Sequence, residues 1–322
     1  MTFILRRYGR QAPLLALVVV LALLVAACTS PSTLTAGGHA PAPADHPPGP
    51  TADTPGPSAG KSGGLVVHFL DVGQADSILV ESAGHTMLVD GGNNGDARTV
   101  VGYLKKRGVK RLDAIVGTHP HEDHIGGLDA VMKAFEVATV YLPRVTTTTR
   151  TFQDVVAAMK DRGLSASAPR PGDSFRLGDA TCTVLAPESA RYEDLNNYSI
   201  VLRVSYGETS FLLAGDAEAV SEEEMLGGGR ELSATVLKVG HHGSNSSTTA
   251  ALLRRVKPRY AVISVGRDNT YGHPARSTML RLKDLGIPVY RTDENGTIVA
   301  TSDGRAVTFN TKPGDYSDGG EP

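Results

Sequence analysis

The run His119-Pro120-His121-Glu122-Asp123-His124 sets four potential metal ligands within six residues, directly after the apolar segment Leu112–Val116. Neutral imidazole and carboxylate are the natural ligands of zinc and its first-row neighbours. His119 and His121, two apart, can converge on one ion, whereas Asp123 and His124 are offset and suit a second ion nearby. Three of the chain's ten histidines fall in this stretch, too dense a cluster for a polar loop that merely contains them. Gly126-Gly127 then lets the backbone turn tightly into a helix. Further along, Phe211-Leu-Leu-Ala-Gly-Asp216 reads as an apolar strand ending in one carboxylate. Asp216 can bridge two cations at the ~3.5–4 Å spacing of two-metal hydrolases. The plainer alternative is an N-cap for a helix near Glu218–Met225. In Leu237-Lys-Val-Gly-His241-His242-Gly-Ser244 a strand again runs into histidines. In extended backbone adjacent side chains point oppositely, so His242 is assigned to metal and His241 to substrate or proton transfer.

Such ligands need rigid elements behind them. Leu65–Leu70, Ser77–Val80 and Thr86–Val89 read as three short strands separated by turns. Ala97–Lys106 has helical spacing, and Leu112–Val116 is a strand running straight into His119. Ile125–Phe135 and Thr151–Met159 read as helices. Strands follow at Thr181–Leu185, Ser199–Val204, Ser210–Leu213 and Ala234–Val239. Helices at Ser247–Arg255 and Arg276–Leu285 then interleave with strands Tyr260–Val265, Val289–Arg291, Thr297–Thr301 and Ala306–Phe309. Hairpins near each end with helices between predict an α+β domain over 65–311, two sheets face to face with helices outside. Tryptophan is absent and aromatics make up 5% of the chain, so the core must be built from Val, Leu, Ile and Ala. Cys182, in the alternating segment Ala180–Leu185, reads as a buried, inert thiol.

The N-terminus lies outside that domain. Arg6, Arg7 and Arg10 precede an apolar stretch from Pro13 to Ala27, and small residues lead into Cys28. A charged start, a short apolar run and a small-residue cleavage site describe a secretory signal peptide over 1–27. Val25-Ala26-Ala27-Cys28 resembles a bacterial lipobox, which implies a lipid on Cys28 and a chain exported and anchored to the outer face of the cell membrane. An uncleaved anchor with a bystander cysteine is the alternative. Residues 28–64 are rich in Pro, Ala, Gly, Ser and Thr, the composition of a disordered spacer. Residues 312–322 read as a frayed polar tail.

Net charge is −2 over 322 residues. The leader carries three arginines and no acid, so the remaining chain stands at −5, which argues against a general nucleic-acid binder. Yet Val236–Arg291 holds ten basic residues against Asp268 and Asp284, a local excess of +8. That asymmetry suits attraction of a phosphate-bearing substrate. Solvated helix faces account for Arg254, Arg255, Arg281 and Lys283.

The His-x-His-x-Asp-His run, the later Gly-Asp and the final His-His-Gly-Ser resemble the metallo-β-lactamase superfamily. More narrowly, Phe69-Leu-Asp-Val-Gly-Gln-Ala-Asp76, Leu88-Val-Asp-Gly-Gly92, Asn196-Asn-Tyr-Ser-Ile-Val-Leu202, His241-His-Gly-Ser244 and Tyr271-Gly-His-Pro274 resemble the hydrolase domain of ComEC-type competence proteins. The resemblance implies a four-layer αββα sandwich with the metals at one end, and a metal-activated water that attacks phosphodiester or related ester bonds. ComEC-type proteins carry a multi-span channel, whereas one leader segment is seen here, so DNA translocation is not expected of this chain alone. No histidine occurs between His124 and His241, where many superfamily hydrolases supply another ligand. The ComEC-like relatives share that gap, with the Asn-Asn-x-Ser segment in its place. The first metal position then has His119, His121 and Asp216 plus solvent, and Mn²⁺ becomes plausible beside Zn²⁺.

From these residues the expected chemistry uses two divalent ions to lower the pKa of a water toward ~7. His241, Lys238 and His273 are the candidates for stabilising charge on the phosphoryl oxygens. Asp123 is expected to share a proton with the attacking water while ligating. The resemblance places Asp71 and Asp76 close to the site, and Asp90 is read as orienting a metal histidine; turn formation is the competing role for all three. His68 and His85 are read as structural. The substrate is expected to be a phosphate ester, DNA among the candidates. Another ester (a cell-wall phosphoester, lactone or thioester) and a non-catalytic metal-binding lipoprotein are the alternatives.

Overall fold

The computed structural model describes residues 64–320. The leader, the lipobox cysteine and nearly all of the spacer expected before the domain lie outside the described residues. The first sheet opens with three antiparallel five-residue strands, β1 (Leu65–Phe69), β2 (Ile78–Ser82) and β3 (His85–Val89). The chain then turns parallel. β4 (Arg111–Leu112) and β6 (Glu136–Val137) form a small ribbon, while β5 (Ala114–Val116), β7 (Val140–Tyr141) and β8 (Ala166–Ser167) extend the first sheet.

The second sheet repeats that plan. β9 (Ser174–Leu177), β10 (Ala180–Ala186), β11 (Val201–Tyr206) and β12 (Thr209–Leu213) are antiparallel; β13 (Val236–Lys238), β14 (Tyr260–Ile263) and β15 (Val289–Arg291) continue in parallel. β16 (Ile298–Ser302) and β17 (Val307–Phe309) return to the first sheet beside β1. The orders are β17-β16-β1-β2-β3-β5-β7-β8 and β15-β14-β13-β12-β11-β10-β9.

Three apolar clusters define four layers. Leu65, Val67 and Phe69 meet Val184, Leu202 and Phe211 between the sheets. Outside the first sheet lie α1 (Ala97–Lys106), α2 (Glu122–Ile125), α3 (Leu128–Ala134) and α4 (Arg150–Asp161), packed through Val100, Ile125, Val131 and Val155. Outside the second lie α5 (Ala219–Gly227), α6 (Ala250–Val256) and α7 (Arg276–Asp284), packed through Met225, Leu252 and Met279. Phe69 and Phe211 are fully buried, and each contributes about 2–3 kcal/mol by the area it removes from water. Cys182 belongs to the inter-sheet core, and burial pushes its thiol up to about 12, so it is inert as expected.

Parallel strands all enter from one end, so the connections leaving their C-terminal ends gather at one edge of the sandwich. β3, β5, β12, β13 and β14 all discharge there, and they lead into Asp90, Thr118–His124, Asp216, Gly240–His242 and Ser264.

Two expectations need correction. The helix expected from Ile125 begins at Glu122 and breaks at Gly126-Gly127. These glycines have ordinary helical φ values of −58° and −87°, so conformational freedom is not their role. A Cβ on Gly126 would lie 2.3 Å from Asn94 N, and one on Gly127 2.3 Å from Gly91 O; glycine is needed for close approach. Residues 312–320 are not frayed either. Gly314 N donates to Val289 O (2.9 Å), Tyr316 OH to Ile287 O (3.0 Å) and Gly319 N to Pro274 O (2.9 Å). The guanidinium of Arg291 also reaches Ser317 O at 2.5 Å. Polar composition hid these pairings, because each is made to a backbone carbonyl.

Candidate metal centre

The His-rich connection is locked from behind by Asp90. Thr118 donates from its backbone N to Asp90 Oδ1 and from Oγ1 to Oδ2, both at 2.8 Å. His124 Nδ1 also donates to Asp90 Oδ2 at 2.8 Å. Asp90 thus orients a metal-facing imidazole. Burial raises its carboxyl above the usual range despite the neighbouring His124.

With Nδ1–H committed to Asp90, His124 turns the lone pair of Nε2 toward Asp216 Oδ2 (3.1 Å) and Asp123 Oδ2 (3.6 Å). His242 repeats the arrangement from the other sheet. Its Nδ1 donates to the carbonyl of Ser264 (2.9 Å), and its Nε2 faces Asp123 Oδ2 (3.2 Å) and Asp216 Oδ2 (3.5 Å). Two lone pairs aimed at two carboxylates call for a cation between them. A tetrahedral zinc site with ~2.0–2.1 Å bonds separates its ligand atoms by roughly 3.3 Å. The four atoms all lie within 4.8 Å of one another, so the donor set fits a divalent ion. His124 Nε2 and Asp216 Oδ1 have no hydrogen-bond partner among the described residues, which suits atoms that ligate a cation.

His119 and His121 stand beside this set. His119 Nε2 lies 2.9 Å from His121 Nδ1 and 4.0 Å from Asp216 Oδ2, so Asp216 sits between the two groups. Its reading as an N-cap fails, because α5 is capped at Glu218 and Asn197 Oδ1 accepts from Glu218 N and Ser221 N. Gly215 brings Asp216 in with a φ of +52°, and a Cβ there would sit 3.1 Å from Thr118 Cβ. Ser199 Oγ accepts from Asp216 N (3.0 Å) and lies 3.3 Å from His119 Nδ1, tying the sheets together at the site. Burial and the adjacent His124 hold the pKa of His119 well below the imidazole norm, leaving it neutral as a ligand requires. Burial opposes charge on His124, but Asp216, Asp123 and Asp90 overcome it and raise its pKa well above the norm. Asp216 shows the converse: burial pushes its carboxyl up, but His124 and His242 bring it well below the usual range.

The expected extended backbone at His241-His242 is not what forms. Both residues adopt left-handed conformations, with φ of 47° and 52°, rare for side-chain-bearing residues. The turn still separates the two rings, so His241 leaves the cluster and enters a partly buried position. Its Nδ1 is 3.2 Å from Glu218 Oε1 and its Nε2 is 3.8 Å from Asp216 Oδ2. Ser246 Oγ donates to the same Glu218 oxygen at 2.8 Å. His273 is edge-on to His241 at 5.6 Å, with Gln74 Nε2 donating to its Nδ1 (3.3 Å). Burial and the nearby His241 and His242 lower its pKa to about 4, so it is neutral at physiological pH.

Lys238 is where the structure departs most from expectation. It is fully buried, with Nζ 2.6 Å from Asp76 Oδ2, and it does not line the cleft. Asp76 in turn lies 3.8 Å from His242 Nδ1 and 4.0 Å from His124 Nδ1. Lys238 therefore neutralises a carboxylate beneath the ligands instead of meeting substrate. Buried on a strand, it had to find a counter-charge within the fold. Asp76, Asp90 and His124 also lie close enough for a cation, but His124 Nδ1 is spent as a donor there and Lys238 already supplies the charge. Asp71 is exposed and accepts from Gly73 N (3.3 Å), a turn role. His68 is buried between Tyr103 OH (2.9 Å) and Glu81 Oε2 (2.6 Å), a structural role.

The cleft above the cluster has a volume of about 310 Å³, and Gln74, Glu122, Asn196 and Tyr271 complete its walls. Sequence reasoning gave no role to these or to Glu218. Gln74, Asn196 and Tyr271 did fall inside motifs quoted for the resemblance, and Glu122 inside the His119–His124 run, which was the available signal.

The family model for the metallo-β-lactamase superfamily matches residues 70–267. ComE operon protein 3 of Bacillus subtilis is 31% identical over 265 residues, covering 77% of this chain and 34% of that protein. Competence protein ComA of Neisseria gonorrhoeae is 33% identical over 242 residues, covering 71% and 31%. The chain thus spans about a third of the length of these relatives. Among solved structures, the metallo-β-lactamase fold protein YhfI of Bacillus subtilis superposes with a TM-score of 0.50 at 13% identity, covering 74% of this chain and all of that one; this likeness concerns the fold. With its paired sheets, its motifs at their common edge and these relatives, the chain belongs to the metallo-β-lactamase superfamily and is a metal-dependent hydrolase.

Proposed function

We propose that this protein is an extracytoplasmic phosphodiesterase that cleaves nucleic acid, held at the membrane by a lipid on Cys28. The observation that carries the reading is the pair His241 and His273. Neither belongs to the four-residue ligand cluster, yet both line the same cleft as Asp216. Beside a cation site, an Nε2–H on His273 suits a non-bridging oxygen of a phosphodiester, and the Nε2 lone pair of His241 suits proton transfer. The likeness to competence proteins supports the same substrate class.

Divalent ions, Zn²⁺ or Mn²⁺, held by His119, His121, Asp216, Asp123, His124 and His242 would supply Lewis acidity and a more acidic water. Every other contribution belongs to the chain. Asp216 spaces the two ligand groups. Asp123 is about a third exposed and faces the cleft, which supports giving it the proton of the attacking water. Glu218 accepts from His241 Nδ1–H and keeps Nε2 toward the cleft. Gln74 donates to His273 Nδ1, which leaves Nε2–H to donate to a phosphoryl oxygen.

The test is hydrolysis of bis(p-nitrophenyl) phosphate by the full chain after metal stripping, with Zn²⁺ or Mn²⁺ restored and Asp123→Ala as control. Metal-dependent turnover that vanishes in the variant supports the reading. Metal bound without turnover would move the activity to another ester. The anchoring part is tested separately: Cys28→Ser should shift the chain from the membrane fraction to the soluble one.

A further inference from the structure

Tyr271 is the most exposed large hydrophobic side chain among the described residues, at 67%, and it stands on the wall of the cleft. The chain has no tryptophan and few aromatic residues, so a ring left in water at this spot adds nothing to the core. The loop carrying it is held firmly. Asn269 Oδ1 accepts from Tyr271 N (3.1 Å) and His273 N (3.0 Å), and Asn269 Nδ2 donates to Gly266 O (2.9 Å) and His273 O (2.6 Å). Gly266 N in turn donates to Gln74 Oε1 (3.0 Å). One face of the Tyr271 ring lies against His273, with centroids 5.7 Å apart and planes 25° from parallel. A rigid aromatic ring, backed by a second ring and open to water, is a stacking surface waiting for a flat partner.

We propose that Tyr271 is the platform for the nucleobase adjoining the scissile phosphodiester, which makes single-stranded nucleic acid the substrate. This rests on the phosphodiesterase reading above and adds the substrate class to it. Bases inside a duplex are already stacked and paired, so an exposed platform serves unpaired ones. Stacking of this kind strengthens binding by roughly 5- to 150-fold per base and tolerates any sequence, because every base has a π face. A polyol or sugar phosphate has no such face to offer.

The absence of tryptophan supplies the test. Tyr271→Trp in the full chain introduces a single tryptophan whose emission reports on stacking. With Mn²⁺ present, a phosphorothioate-linked oligothymidylate should quench it, and an abasic strand of equal length and charge should not. In steady-state assays on ordinary oligothymidylate, Tyr271→Ala should raise KM at least about fivefold with kcat within twofold, and Tyr271→Phe should retain the wild-type KM. Equal quenching by both strands, or none by either, overturns the proposal, as does an equal KM rise on abasic and base-bearing strands. Wild-type turnover of bis(p-nitrophenyl) phosphate with none of oligothymidylate also overturns it, and leaves the phosphodiesterase reading standing. Failure on both substrates removes both.

Discussion

The two sheets furnish the same cleft in different ways. In the first, one connection after β5 carries His119, His121, Asp123 and His124, and a single buried carboxylate, Asp90, holds it from behind. In the second, Asp216 leaves β12 and His242 leaves β13, each alone, and each is held by a different neighbour, Ser199 or Ser264. The first sheet offers a preassembled half-site whose parts share one support. The second offers isolated ligands that come together only because parallel strands end at one edge. Loss of a ligand should therefore be local on the first side, whereas on the second side each ligand has no substitute nearby.

The sharpest way to break that contrast is Asp216→Ala. Asp216 touches both ligand groups, so activity should fall by well over the ~10–100-fold that an outer partner costs. Most bound metal should be lost with it, read by elemental analysis, while circular dichroism stays unchanged. Full activity in that variant would sink the bridging assignment. Next comes the floor of the second sheet. Lys238→Met leaves Asp76 as an unpaired buried carboxylate and should cost about 3–5 kcal/mol in urea unfolding. Adding Asp76→Asn should recover much of that; no recovery would show that Lys238 acts through packing. On the first sheet, Asp90→Asn keeps the shape but loses the acceptor shared by Thr118 and His124. It should weaken metal binding ~10–100-fold with a smaller loss of stability than Lys238→Met; the reverse ranking would contradict the half-site description.

The smallest effect concerns protons. Neighbouring carboxylates outweigh the burial that opposes charge on His124 and His242, and raise the pKa of both. Metal can bind only to the neutral imidazoles, so uptake should release protons near neutral pH and affinity should rise as pH rises. Titration of metal into weakly buffered stripped protein checks this, and a pH-independent affinity would count against the assigned ligands.

Much of this site was legible before any fold was known. The ligands of the first sheet are contiguous, so composition and spacing alone marked them. The strands before Asp216 and His242 were equally plain, because apolar runs ending in a polar residue and glycine are local signals. Other features were not local. Whether Asp216 capped a helix or joined the cluster depended on Asn197 taking the cap. Lys238 looked like a substrate contact in sequence, because nothing local shows that Asp76, far away in the chain, lies 2.6 Å from it. The left-handed turn at His241-His242 was likewise hidden, since side-chain-bearing residues rarely adopt it and the surrounding packing enforces it.

By itself, then, the sequence determined the α+β class, the strands and most helices, and the identities of the candidate ligands, because periodicity and residue chemistry act over short stretches. Only the tertiary structure decided which face each ligand presents, which charges answer one another below the cleft, and that Tyr271 stands open at its mouth. Those outcomes depend on contacts between strand ends that are distant in the chain, and burial there converts small differences in position into large differences in charge and hydrogen bonding.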